Sequence, residues 1–236
     1  MVDNLMQSPL IELKNLSYAY PRRGKVLDQA NFRLQRGEKI ALTGDNGAGK
    51  TTLFHLLTGL LKKQQGEVIA FGQCCEQESD FVPMRARIGL LFQDPDDQLF
   101  CPTVLEDVAF GPLNLGKSRE QAMQIARDTL TRLGMSGFEE RITHQLSGGE
   151  KRMVTLAAVL AMEPEVLLLD EPSNALDQKA RQRLIDTLQT LPQAMIIISH
   201  EPDFLSQICN RHIRLEAGKL LEERSCENAR PAVAAG

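Results

Sequence analysis

The stretch Gly44-Asp45-Asn46-Gly47-Ala48-Gly49-Lys50-Thr51 follows the apolar run Ile40-Ala41-Leu42 and precedes the helix-like Leu53-Phe54-His55-Leu56-Leu57. A strand, a glycine-rich turn and a helix start in that order make a cradle for phosphate. The glycines lack a Cβ, so the backbone can take positive φ and turn several N–H groups toward one anion. The helix opening near Lys50 adds unpaired amides and a positive dipole end. Lys50 is placed to neutralise β and γ phosphates, and the Thr51 hydroxyl, with Thr52 behind it, to reach the nucleotide and its Mg²⁺. The pattern is a Walker A loop, and its expected ligands are ATP and Mg²⁺.

Two further stretches fit beside it. Val166-Leu167-Leu168-Leu169-Asp170-Glu171 is an apolar strand ending in two carboxylates. Asp170 suits holding Mg²⁺ through a water, and Glu171 suits orienting and deprotonating an attacking water. Alone, such a pair reads more readily as loop solvation; a phosphate loop upstream favours the hydrolytic reading. Leu146-Ser147-Gly148-Gly149-Glu150 precedes a helical pattern, so its serine and amides form either a plain N-cap or a second phosphate-binding helix start.

The 236 residues suit one large domain or two small lobes, and the formal net charge of -4 gives no footprint for nucleic acid. No run approaches the roughly 18–20 apolar residues of a membrane span, and MVDNLMQSPL lacks the regions of a signal peptide, so a cytosolic chain is expected. Cys74, Cys75, Cys101, Cys209 and Cys226 form no CxxC pair and read as reduced structural thiols.

Ile11 to Leu16 alternates apolar and polar residues, and Val26 to Leu34 does so loosely, which suggests an antiparallel entry sheet. Tyr20, placed between the two, can stack on a purine base; Tyr18 is a competitor, and either can be ordinary packing. Continuous runs at Ile40–Leu42, Ile88–Phe92, Val166–Leu169 and Met195–Ile198 suit parallel strands buried on both faces, with a helix over Gln178 to Leu191. From Asp94 to Met162 at least two helices are expected. One is capped by Ser118 and Gln121 and ended by Gly134; another follows Ser147-Gly148-Gly149 and stops before Pro164. The tail from Glu222 on shows no core pattern and reads as loosely attached.

With Leu146 to Glu150 beside the Walker A loop, the chain resembles the ATPase domain of ABC transporters over about Leu10 to Leu221. Glu150 stands where that family's LSGGQ signature has glutamine, and Asn174 where it often has Ser, Gly or Ala. The resemblance implies an α/β P-loop NTPase (RecA-like) core over 10–93 and 163–222, with an antiparallel β subdomain, an inserted α-helical subdomain over 94–162 and a tail over 223–236. It implies Tyr20 as the adenine-stacking aromatic, Gln93 as the glutamine that touches Mg²⁺ or the lytic water, Asp177 as the end of the D-loop, and His200 as a γ-phosphate donor. Lys50, Glu171, His200 and Gln93 form the implied catalytic set; Thr51, Gln93 and Asp170 form the metal set. The other three histidines, His55, His144 and His212, are read as packing. A head-to-tail dimer is implied, in which the Walker A loop of one copy and Ser147 to Glu150 of the other enclose each ATP.

Asp94-Pro95-Asp96-Asp97-Gln98-Leu99-Phe100, with Pro102-Thr103-Val104 and Glu106-Asp107-Val108-Ala109-Phe110-Gly111-Pro112, resembles the energy-coupling factor (ECF) transporter ATPases, which power uptake of vitamins and of cobalt or nickel ions. Asp94 stands where those usually have Asn. The resemblance implies a transmembrane scaffold subunit and a substrate-binding membrane subunit as partners, at the cytoplasmic face of the cell membrane. Apolar Leu99, Phe100, Val104 and Phe110 beside acids suit a groove for a basic amphipathic coupling helix. The short stretch after the final strand pair favours the cobalt/nickel or biotin type with two identical copies. A soluble ABC ATPase of translation or DNA maintenance, or the ATPase of another ABC importer or exporter, stays open; one copy and no heptad run weigh against the soluble class.

Overall fold

The computed structural model describes residues 8–22 and 24–223, so the tail beyond Glu223 and Cys226 lie outside the described residues. Two sheets share the chain. The first is antiparallel, ordered β2-β1-β4-β5: β1 is Ile11–Tyr20, β2 Gly24–Leu34, β4 Gln65–Ala70 and β5 Gln73–Cys74. The entry hairpin is as expected, with one correction: Tyr20 is the last residue of β1, paired with Gly24 of β2, and does not lie between strands. The sequence did not reveal β4 and β5, because their short, polar runs show little alternation.

The second sheet has six strands ordered β10-β9-β3-β8-β7-β6. Here β3 is Lys39–Thr43, β6 Ile88–Leu91, β7 Val166–Asp170, β8 Ala194–Ile198, β9 Arg211–Glu216 and β10 Lys219–Glu223. The five from β9 to β6 run parallel and β10 returns antiparallel on β9. Glu222 and Glu223, assigned to the tail by sequence, belong to β10, where Glu223 faces His212. All four continuous apolar runs became these parallel strands. Their side chains go alternately to two cores: Leu167, Leu169 and Ile197 to one face, Val166, Leu168 and Ile196 to the other.

One face is covered by α1 (Lys50–Leu57) with the antiparallel sheet and α2 (Glu78–Arg85), the other by α3 (Val104–Asn114), α4 (Arg119–Arg132), α5 (Gly148–Leu160), α6 (Gln178–Thr190) and α7 (Pro202–Ile208). Helix α4 has the capping box of Ser118 and Gln121 and ends at Gly134 with φ 68°. Helix α3 was missed as a helix. Thr103 and Glu106 close its own capping box, a signal present in the sequence but read as part of a partner groove. Val104, counted there, is fully buried in the core, and Leu99 packs on it; Phe100 and Phe110 stay exposed. Burial pushes the Cys101 thiol up to about 11 and the Cys209 thiol up to about 12, in keeping with inert packing roles.

Helix α5 lies against the edge strand β6 at Gly89, where an added Cβ would stand 2.4 Å from Val159 Cγ1 and 3.0 Å from Pro164 Cγ. A methyl there must push the helix off the strand. Gly89→Ala is expected to cost about 1–3 kcal/mol by overpacking, measurable as a lowered midpoint in thermal unfolding; an unchanged midpoint would contradict this close approach.

Candidate functional site

The parallel register sets Leu42 opposite Ile198 and Ile198 opposite Asp170, so β3, β8 and β7 end in one row. The groups following these ends therefore converge: the glycine loop after β3, Glu171 after β7 and His200 after β8. Ligands of open α/β sheets bind at such carboxyl ends.

Gly44 has φ 141° and Gly49 φ 114°; a Cβ would come within 2.5 Å of the Leu215 carbonyl oxygen at the first and 2.1 Å of Val26 Cγ1 at the second. Only glycine holds this loop against β9 and β2. Lys50, 8% exposed, donates from Nζ to the carbonyls of Gly44 (2.6 Å) and Asp45 (3.1 Å). Burial lowers its pKa while the charges of Glu171, Asp170 and Asp45 oppose that. Ala48 N–H closes the loop on Asp45 O at 3.0 Å. Asn46, Gly47, Gly49, Lys50, Thr51 and Thr52 line one cavity together with Gln93, Asp170, Glu171 and His200. Gly44, Asp45, Ala48 and Tyr20 do not line it. Tyr20 reaches its edge, its hydroxyl 3.3 Å from Thr52 Oγ1, with the Tyr18 ring edge-on at 5.0 Å.

Thr51 Oγ1 donates to Asp170 Oδ2 at 2.7 Å, and Asp170 is 3% exposed, so burial raises its pKa. This hydroxyl and carboxylate, with the Gln93 amide lining the same cavity, are hard oxygen donors that fit a small divalent cation keeping several waters. Glu171 has φ 50°, a left-handed conformation costing a non-glycine residue roughly 1–2 kcal/mol. The turn aims its carboxylate into the cavity, 3.4 Å from His200 Nε2. Burial raises the Glu171 pKa, and His200 opposes the shift.

Ser147 to Glu150 stand elsewhere. They line a separate cavity with Gly134, Phe138, Asp177 and Arg183, and none of its lining residues lines the glycine-loop cavity. Ser147 caps α5. Its hydroxyl accepts from Glu150 N at 3.3 Å and donates to Glu150 Oε2 at 2.8 Å, and its own N–H donates to Oε2 at 2.9 Å. Glu150 also takes Arg141 Nη1 at 3.0 Å. The Ser147 backbone N–H foremost, with Arg141 adding to it, holds the Glu150 carboxyl below its ordinary range. Asp177 caps α6, accepting from Ala180 N at 2.7 Å.

Between the two cavities lies a third cleft, lined by Thr51, His55, Phe92, Gln93, Asp94, Gly148 and Arg152 among others. One residue here, Arg152, was not singled out from the sequence. His55, read as packing, faces this cleft, and Arg152 is buried on α5. The signal for Arg152 was its position at helical spacing from Leu156 and Val159, on the face that is buried.

The ABC transporter family model matches residues 27–174. A putative ABC transporter ATP-binding protein of Brucella suis is 53% identical over 213 residues, 90% of this chain and 88% of its own length. The energy-coupling factor transporter ATP-binding protein EcfA of Methanothermobacter thermautotrophicus is 44% identical over 218 residues, 91% of this chain and 70% of its own. Among solved structures, cbiO1 of Clostridium perfringens, part of the ABC transporter complex cbiONQ, has a TM-score of 0.80 at 32% identity, covering 91% of this chain and 88% of its own. A dimeric ATP-binding cassette in a post-hydrolysis state with ADP and Pi has a TM-score of 0.83 at 25% identity, covering 91% and 98%.

Since burial raises Asp170's pKa, the folded chain binds that proton more readily than the unfolded chain, and the ionised carboxylate destabilises the ligand-free fold above the folded pKa. Asp170→Asn is therefore expected to raise the ligand-free melting temperature at pH 7.5, with the gain shrinking as pH falls. A lowered midpoint at neutral pH would refute the burial cost.

Proposed function

The chain belongs to the ABC transporter family as an ATP-binding, ATP-hydrolysing subunit, and from that premise we propose that it drives an energy-coupling factor type importer as a head-to-tail pair of identical copies. The observation that carries the pairing is the separation of the two phosphate-binding helix starts into cavities without a common lining residue. A single chain thus offers two different half-sites, and a second copy would complete both. The parts are a core over 10–93 and 163–222 and a helical lobe over 94–162.

In this reading Lys50 and the amides of the glycine loop bind the β and γ phosphates, and Tyr20 lies against the base. Thr51, Asp170 and Gln93 would hold Mg²⁺, which supplies charge neutralisation on the β and γ oxygens. Glu171 orients the attacking water and takes its proton, a task its raised pKa suits. His200, 3.4 Å from Glu171, donates to the γ-phosphate. Ser147, Gly148, Gly149, Glu150 and Asp177 serve the partner copy's nucleotide.

The importer reading draws support from the EcfA relatives and from the likeness to cbiO1 of a cbiONQ complex. No helix of the described residues is long and apolar enough to cross a membrane; in this reading membrane subunits would provide the path. The exposed Phe100 and Phe110, stacked edge to face at 4.7 Å beside Asp97 and Glu106, suit a basic amphipathic helix of a scaffold subunit. This would place the chain peripherally at the cytoplasmic face. The cargo, cobalt or nickel ions or a vitamin such as biotin, would be chosen by a membrane subunit that this chain never needs to resemble.

Glu171→Gln is expected to cut turnover by roughly 10²- to 10⁴-fold, the usual worth of a general base, and to elute as a dimer with ATP and Mg²⁺. Adding Ser147→Arg should return it to monomer; full-rate hydrolysis by a strict monomer would sink the paired reading. Phe100→Ser with Phe110→Ser should leave the isolated subunit's hydrolysis unchanged yet abolish recovery of a polytopic scaffold protein from detergent-solubilised membranes. Undiminished recovery would move the docking surface elsewhere.

A further inference from the structure

Arg152 stands on α5 one turn beyond Ser147–Gly149 and is 3% exposed. Its Nη1 donates to the Phe92 carbonyl at 2.6 Å and its Nη2 to the Gln93 carbonyl. These are the first two carbonyls past β6, the edge strand of the parallel sheet, where ladder partners have run out. Gln98 serves the same segment, accepting from Phe92 N at 2.8 Å and donating to Leu90 O at 2.9 Å. Next to Arg152 on the helix, Lys151 pairs with Asp96 at 2.6 Å. Adjacent cations of α5 thus hold the loop that carries Gln93.

This arrangement is costly for packing alone. Arg152 makes no ion pair among the described residues, and its Nε has no hydrogen-bond partner. Burial lowers its pKa; the compensation comes from the charges of Asp170, Asp94 and Glu171 around it. A buried guanidinium without a paired carboxylate is a liability that an apolar side chain of similar volume would avoid. What an apolar residue could not do is grip two successive carbonyls at once.

We propose that Arg152 is a positioning residue for hydrolysis, fixing the Gln93 amide at the Thr51–Asp170 site and tying it to the helix whose N-terminus meets the partner copy's nucleotide. The inference rests on the paired-copy reading. From Gly148 to Arg152 the helix rises only about 6 Å, so a shift of Ser147–Gly149 against a phosphate is delivered to Gln93 through a rigid turn. One chain's two half-sites are then mechanically joined.

The test is a double-mutant cycle on the full-length chain with Arg152→Lys, Arg152→Met and Gln93→Ala. Lysine offers a single ammonium that cannot span both carbonyls, and methionine fills the space without any donor. Both are expected to lower kcat about 10-fold or more with KM for ATP changed less than about 3-fold, the signature of an interaction used in the transition state. Arg152→Met should keep a melting temperature at or above that of the unsubstituted chain, which a merely structural role coupled to lost activity would not. Combined with Gln93→Ala, neither should slow the enzyme further. Losses that multiply in the double variant, or unimpaired kcat in both single variants, would overturn the proposal while leaving the paired reading intact. Unimpaired kcat in Gln93→Ala would remove Gln93 from the site and the proposal with it. If Arg152→Met does not fold, Arg152→Lys decides by the same criteria.

Discussion

In the row Leu42, Ile198, Asp170, three parallel strands stop together, and each hands over to a different kind of group. One gives a loop of amides and a lysine, one an imidazole, one a pair of carboxylates. No side-chain packing brings these together. The hydrogen-bond ladder does it, because a parallel register, once set by burial on both faces, cannot slip by one residue without turning every strand side chain inside out. The chemistry is thus as rigid as the sheet, and the loops only add the last few ångströms.

The charges in this row oppose the fold in the ligand-free chain. Burial disfavours the ionised forms of Asp170, Glu171 and Lys50 alike, and the attraction of Lys50 to the two carboxylates only partly offsets it. Lys50 rests meanwhile on the carbonyls of Gly44 and Asp45. A polyphosphate with its cation would supply opposite charge to each of these groups, so ligand binding and stability are linked through the same atoms.

Much of this was legible in the chain. The four apolar runs, the capping of α4 and α5 and the three motifs report short-range physics: continuous burial, helix-start chemistry and glycine's access to positive φ. What was lost depends on distant partners. Strand β4 owes its existence to pairing with β1, not to its own pattern. Val104 looks like a surface anchor in sequence, yet its position in the first turn of α3 buries it completely. Arg152 shares a helix face with buried Leu156, but its grip on Phe92 and Gln93 shows only in the fold. Glu171 and His200 could be nominated singly, but their 3.4 Å approach follows from the neighbouring places of β7 and β8 in the sheet. The strain at Glu171 left no trace in the residue string.

Glu150, the departure from the family's glutamine, closes a ring with Ser147 and is held by Arg141. The serine end of the helix start is therefore closed by groups of its own chain. In the proposed paired state, a phosphate arriving here would displace an internal carboxylate already seated on the serine. The encounter would then be an exchange of one acceptor for another, which would lower the entropic toll of docking and make a weak or misplaced anion a poor competitor.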